Sequence, residues 1–319
     1  MRKALTALCL TLMLTIPARA EENGANGNND LPIGMRPLFA VNEFFDTRLP
    51  GTLEKYDLTL EYRPRFSDLI RREFVRFPLV LRYGLTEDFE IGVLTTPVVP
   101  HPFKSGDGRK WGPGEAGVLA RMNITPVFGL WDWATVEITL RQPLGRPPVE
   151  LIDGYTRIRP SLAVSRAAID PETTVLFANI SYDYAVGHWG RAKPDRELFT
   201  RQNIAEAGPG VLFKPTELGY FAEYRLRHTD EPDEDRWAHV YRVGIVWEVP
   251  RHRSERVRLP GYWQVEAGYR LTDEQRRSIN HALTLRLRWR GDLKAVFRGE
   301  RDTTTPREDN NDLNQFLPR

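Results

Sequence analysis

Two sets of side chains in this sequence could do chemistry: six histidines, and the arginines and carboxylates that recur at alternate positions along most of its 319 residues. Metal binding needs histidines or carboxylates brought to one face at ligand spacing. His101, His188 and His228 fall in stretches that read as long connections. His252 lies in the Arg-rich link 251–258, and His239 and His281 alternate with polar neighbours on apolar faces. That distribution predicts no metal centre. A lipid hydrolase needs a serine within reach of a histidine and an orienting polar group. Asn179-Ile180-Ser181 followed by His188 comes nearest, but Ser181 takes the polar face of its stretch and His188 a loop. Gly112-Pro113-Gly114 and Gly208-Pro209-Gly210 read as turn or kink glycines rather than phosphate cradles.

The ionic residues are more informative. Arg76, Arg82, Arg121, Arg141, Arg157, Arg159, Arg225, Arg242, Arg286 and Arg288 share the polar positions with Glu61, Glu90, Glu137, Glu223 and Glu248. Both signs on one face suit a narrow enclosed space, where charges need partners. An excess of arginine there would favour anionic solutes through its field.

These residues are positioned by strands. Strict period-2 alternation begins near residue 55 and marks strands with two different faces. Tyr56, Leu58, Leu60 and Tyr62 alternate with Lys55, Asp57, Thr59, Glu61 and Arg63. Leu283, Leu285, Leu287 and Trp289 alternate with Thr284, Arg286, Arg288 and Arg290. Twelve such stretches occur. Each is roughly 9–13 residues long, which suits a tilted membrane strand and exceeds the usual globular strand. Connections alternate short and long, as in a meander with turns at one rim and loops at the other. The link 250–260 is too long for that rule, and 272–278 too short. Tyr56, Tyr62, Tyr83, Tyr182, Tyr184, Trp237, Trp247, Trp263, Tyr269 and Trp289 lie near strand ends on the apolar face, where amphipathic rings form interfacial girdles. Strands this long in an open sheet would expose aggregation-prone edges, which closure removes. The expected fold is all-β: a closed antiparallel up-and-down transmembrane β-barrel of about twelve strands.

Composition sets the remaining bounds. Arg2-Lys3, an apolar run over Ala4–Ile16 and Ala18-Arg19-Ala20 have the layout of a cleaved secretory signal. Residues 1–20 are therefore expected to be a leader, 21–54 an N-terminal periplasmic segment or plug, 55–291 the barrel, and 292–319 a charged periplasmic tail. The single cysteine, Cys9, lies in the leader, so disulfides and thiolate chemistry are excluded from the mature chain. The formal charge is +2, and loss of the leader's three basic residues removes even that excess, so no nucleic-acid partner is expected.

The hairpin Leu81-Arg82-Tyr83-Gly84-Leu85-Thr86-Glu87-Asp88-Phe89-Glu90-Ile91-Gly92-Val93 resembles one in the outer-membrane transporter barrels grouped with the MetA-pathway phenol-degradation proteins. The run from Gly268 to Glu274 is similar to a late hairpin of such barrels. The resemblance implies an outer-membrane location and uptake of small, often aromatic, compounds, and it carries no catalytic residues or cofactor. The sequence thus predicts a passive channel or transporter for small solutes, anionic or aromatic. Its expected partners are outer-membrane lipid and the barrel-insertion machinery. Two other readings stay open: a non-conducting structural or assembly barrel that binds a periplasmic partner, and an outer-membrane lipid hydrolase using Ser181.

Overall fold

The computed structural model describes residues 43–44, 47–64, 74–100, 112–124, 131–144, 155–167, 173–187, 202–230, 235–250, 254, 261–274 and 278–292. The expected leader, most of the segment 21–54, nearly all of the tail, and His101, His188 and His252 lie outside them. Glu43–Phe44 and Thr47–Arg48 pair as a small antiparallel ladder, β1 and β2.

The remaining strands are β3 (Asp57–Tyr62), β4 (Phe74–Arg76), β5 (Leu79–Gly84), β6 (Phe89–Pro100), β7 (Gly112–Ile124), β8 (Trp133–Pro143) and β9 (Thr156–Ala167), then β10 (Thr174–Gly187), β11 (Asn203–Phe213), β12 (Leu218–Asp230), β13 (Asp235–Val249), β14 (Tyr262–Glu274) and β15 (Ser278–Asp292). From β5 to β15 each strand pairs antiparallel with its sequence neighbour, and β3 pairs with β5. The ring closes where β15 meets β3, from Leu287↔Tyr62 to Asp292↔Asp57. Twelve strands therefore form a closed up-and-down barrel, which leaves no long sheet edge unpaired.

Local chemistry explains the two irregularities. β4 and β5 pair with β6 in one continuous register, Val75↔Val99 and Leu79↔Thr95, so together they are one stave. Pro78 has no N–H for the ladder, and the stave is interrupted there. In β7, Thr96 faces both Gly114 and Glu115, a bulge, and Gly114 has φ +65°. Glycine meets that left-handed requirement without a Cβ clash.

The strands run past the ends that hydrophobic alternation implies. β12 extends through Arg227, His228, Thr229 and Asp230, which pair with Ala238, Trp237, Arg236 and Asp235. His228 is thus a strand residue, contrary to the loop expected for it. Polar residues at the rim keep their backbone ladder even where no apolar face is left to mark it. The long 250–261 and short 275–277 connections are both present between the strands.

The outward face is apolar over its middle. Leu60, Ile91, Val93, Val118, Leu176, Ile180, Val243, Ile245 and Leu283 are exposed there. Rings flank this band. Towards the short-turn end lie Tyr83, Tyr220, Trp247, and Trp263 paired with Trp289. Towards the loop end lie Tyr182 against Tyr184, and His228 with its ring 4.5 Å from that of Trp237. On β13, Trp247 and Trp237 bracket a stretch that spans about 33 Å along the strand, or about 25 Å once the strand is tilted by roughly 40°. That height matches the apolar band of a membrane barrel. Two further outward histidines, His239 and His281, are each paired with a tyrosine. His239 Nδ1 is 2.9 Å from the Tyr224 hydroxyl, and His281 meets the Tyr269 hydroxyl.

Candidate functional site

Alternation in β3, β5 and β15 sends Glu61, Arg82, Arg286 and Arg288 into the lumen, and register then brings them together. Glu61 is the hub. Its carboxylate lies 2.9 Å from Arg288 Nη2, 3.3 Å from Arg286 Nε and 3.5 Å from Arg82 Nη2, and it also pairs with Arg63. Glu266 contacts the same two β15 arginines, Arg288 at 3.2 Å and Arg286 at 3.4 Å. Arg82 also reaches Glu90 at 3.5 Å. At the turn end of the same seam Arg290 Nε donates to Asp57 at 2.6 Å. The arginines at the centre of the seam are almost wholly shielded from solvent, with 0% exposure for Arg288, 1% for Arg286 and 4% for Arg82, whereas Arg63 at the loop end keeps 26%. Charges this dehydrated persist only because each has several opposite partners.

A second cluster occupies the loop-end half of β8 to β13. Arg225 Nε donates to Glu223 at 2.7 Å, and Arg242 Nη1 to the other Glu223 oxygen at 3.0 Å. Glu206 collects Arg225 at 3.2 Å, Arg159 at 3.5 Å and Arg227 at 2.6 Å. Asp183 pairs with Arg141 and, at 3.4 Å, with Arg157. Arg159 also donates to the Ser181 hydroxyl at 3.1 Å. Ser181 faces the lumen with 8% exposure and so presents no hydroxyl to the outer surface. Its outer arginines are wetter than the centre of the seam: Arg141 and Arg227 keep 25% exposure and Arg159 keeps 22%.

The other expected lumen residues are dispersed. Glu137 accepts from Thr139 at 2.7 Å. Glu248 pairs with Lys214 at 2.6 Å near the turn end. Arg76 is half-buried opposite the buried Val98. Arg121 donates to the Leu49 carbonyl.

That last bond belongs to a feature the alternation does not reveal. Residues Leu49–Leu53 run inside the turn-end mouth of the barrel, and the exposed Glu54–Tyr56 carry the chain on to β3. Gly51 N donates to Thr135 Oγ1 at 2.7 Å and Leu53 N to Glu90 Oε2 at 2.7 Å. Asn123 Nδ2 donates to Thr52 Oγ1 at 2.8 Å, and Thr52 Oγ1 donates to the Glu87 carbonyl at 2.5 Å. Those partners sit on β6, β7, β8 and the β5–β6 turn. Leu49 packs with Phe177, Leu212, Phe221 and Val246, which belong to β10 through β13. The segment therefore bridges one wall to the facing wall.

The lumen is also less uniformly polar than expected. Phe177, Leu212, Phe221, Val246, Leu119 and Val80 all point inward and are buried. Phe177 pairs across strands with Gly210, and Phe221 with Gly244. Each ring covers the space where a Cβ on its glycine would stand, an aromatic cover for a strand glycine.

No protein-family model matches the chain, and no curated protein matches it. Solved structures do. An outer membrane channel from Pseudomonas putida F1 aligns over 78% of this chain and 100% of its own, at TM-score 0.51 and 10% identity. The fold is that channel's barrel. The KdgM porin aligns over 72% of this chain and 98% of its own (TM-score 0.40, 8% identity), and the NanC porin over 73% and 97% (TM-score 0.39, 12% identity). At such identities the likeness concerns the fold alone. It does not reach the phenol-degradation grouping suggested by the hairpin at Leu81–Val93.

Proposed function

We propose that this protein is an outer-membrane channel that passes small anionic solutes by diffusion, and that it reaches that membrane by way of the leader at residues 1–20. The reading rests on one observation: the least shielded charged groups on the lumen wall include the guanidinium groups of Arg141, Arg159 and Arg227, gathered on the loop-end half with the carboxylates Asp183, Glu206 and Glu115, and that of Arg63 at the loop end of β3. A solute entering from the loop end meets positive field first, and fixed cationic groups in a low-dielectric wall concentrate anions. The shielded arginines of the seam, Arg82, Arg286 and Arg288, hold the barrel closed in this account, and selectivity belongs to the wetter set. The apolar outward band and its two girdles support insertion across a bilayer. Planar-bilayer reversal potentials in a chloride gradient test the reading. The expected result is anion preference. Cation preference, or no conductance from any form of the protein, would defeat it.

A further inference from the structure

We propose that Leu49–Tyr56 is a gate: a strap that closes the turn-end mouth of the barrel at rest and withdraws as a unit to open it. The proposal rests on the channel reading above. Three of its contacts are made by the strap's own backbone, through Leu49 O, Gly51 N and Leu53 N. A wall that binds main chain in this way holds a segment in place without merging it into the sheet.

The wall is shaped for it. Gly84 is the residue on which the strap lies: a Cβ there would collide with the Glu54 carbonyl, and Tyr56 N donates to the Gly84 carbonyl at 2.8 Å. Leu49 is the strap's apolar anchor, seated among Phe177, Leu212, Phe221 and Val246. Those four lie on the neighbouring strands β10 to β13, with Leu212 directly opposite Phe221, so that part of the cluster belongs to the wall itself.

Opening takes several charged contacts with it. Glu90 gives up the Leu53 amide but keeps Arg82 at 3.5 Å, Arg290 gives up Glu54 but keeps Asp57 at 2.6 Å, and Arg121 gives up the Leu49 carbonyl while remaining in register between Glu90 and Glu137. The joint has the backbone of a hinge. Tyr56 joins strap to β3 at φ +76°, the left-handed region that costs a bulky residue energy and is relieved by rotation. Contacts on two facing walls and a strained pivot suit a segment that is either seated or withdrawn, which is what a gate requires.

The test is a reversible lock. Leu49→Cys and Val246→Cys are introduced together with Cys9→Ser, which leaves no other thiol in the chain. A separate Leu49→Asp variant unseats the anchor without altering the wall. Conductance is measured in planar bilayers before and after oxidation and again after dithiothreitol, with disulfide formation confirmed by mass. The expected results are a disulfide that abolishes conductance, recovery on reduction, and at least a tenfold rise in open probability for Leu49→Asp. A disulfide that forms and leaves conductance unchanged overturns the gate while the channel reading stands. Failure of the disulfide to form overturns the strap's placement. Absence of conductance in every form, Leu49→Asp included, defeats the channel reading and the gate with it.

Discussion

Arg288 Nη2 donates to Glu61 Oε2 at 2.9 Å across the line where the last strand of the barrel meets the first. The two residues are separated by most of the chain, yet the ring closes on them. Arg286 and Arg82 converge on the same carboxylate, so Glu61 neutralises the densest group of shielded guanidinium groups in the lumen.

Removing that carboxylate should open the seam. Glu61→Ala leaves Arg82, Arg286 and Arg288 buried with too few partners, and breaking such a set costs about 3–5 kcal/mol. Thermal unfolding followed by gel migration in detergent should fall by several degrees. Unfolding at the wild-type temperature would show that the cluster is incidental to closure.

Selectivity should separate from stability. Arg159→Gln with Arg227→Gln removes two of the wetter guanidinium groups, and anion-over-cation permeability should drop severalfold while the unfolding temperature falls less than in Glu61→Ala, because Glu206 keeps Arg225 at 3.2 Å. Arg288→Gln should show the reverse: lower stability and little change in reversal potential. The same reversal potential in the double variant as in the wild type would contradict the assignment.

The two halves of the prediction reflect what the sequence does and does not encode locally. Alternation of the kind seen at Tyr56–Arg63 and Leu283–Arg290, repeated through twelve stretches, was enough to place the twelve strands of the closed barrel. Which carboxylate meets which arginine depends on register between strands, and register is not a property of either strand alone. Hence Glu206 and Asp183, ordinary polar positions in their own stretches, turn out to hold five arginines between them. The strap was hidden for another reason. Leu49-Pro50-Gly51-Thr52-Leu53 has no periodicity, because its bonds run from its backbone to the wall. Inward apolar residues such as Phe177 and Phe221 break the simple apolar-out rule, and their reason is the glycine on the adjacent strand.

The glycine covers give a test of packing in the lumen. Gly210→Ala places a methyl group against the Phe177 ring, and overpacking of this kind costs about 1–3 kcal/mol. Adding Phe177→Leu should recover part of that loss, because the smaller side chain makes room. A double-mutant cycle read by thermal unfolding in detergent measures the coupling. Strict additivity would mean the pair does not interact.

Val118 sits at the middle of β7 with 53% exposure on the outward face. In water an arginine there would be close to neutral. At the midplane of a bilayer it costs about 2–4 kcal/mol. Val118→Arg should therefore lower folding yield into lipid vesicles sharply, whereas Glu87→Arg, in the exposed turn, should not. Equal yields would argue against a lipid-facing band.

The most direct measurement of the whole account is the migration of the protein from washed outer membranes on a detergent gel, with and without boiling. A closed barrel ringed by hydrocarbon-facing side chains should stay with the membrane fraction and run as a compact species that shifts on heating. A protein recovered in the aqueous fraction without detergent, as a monomer whose migration heat does not change, would contradict it.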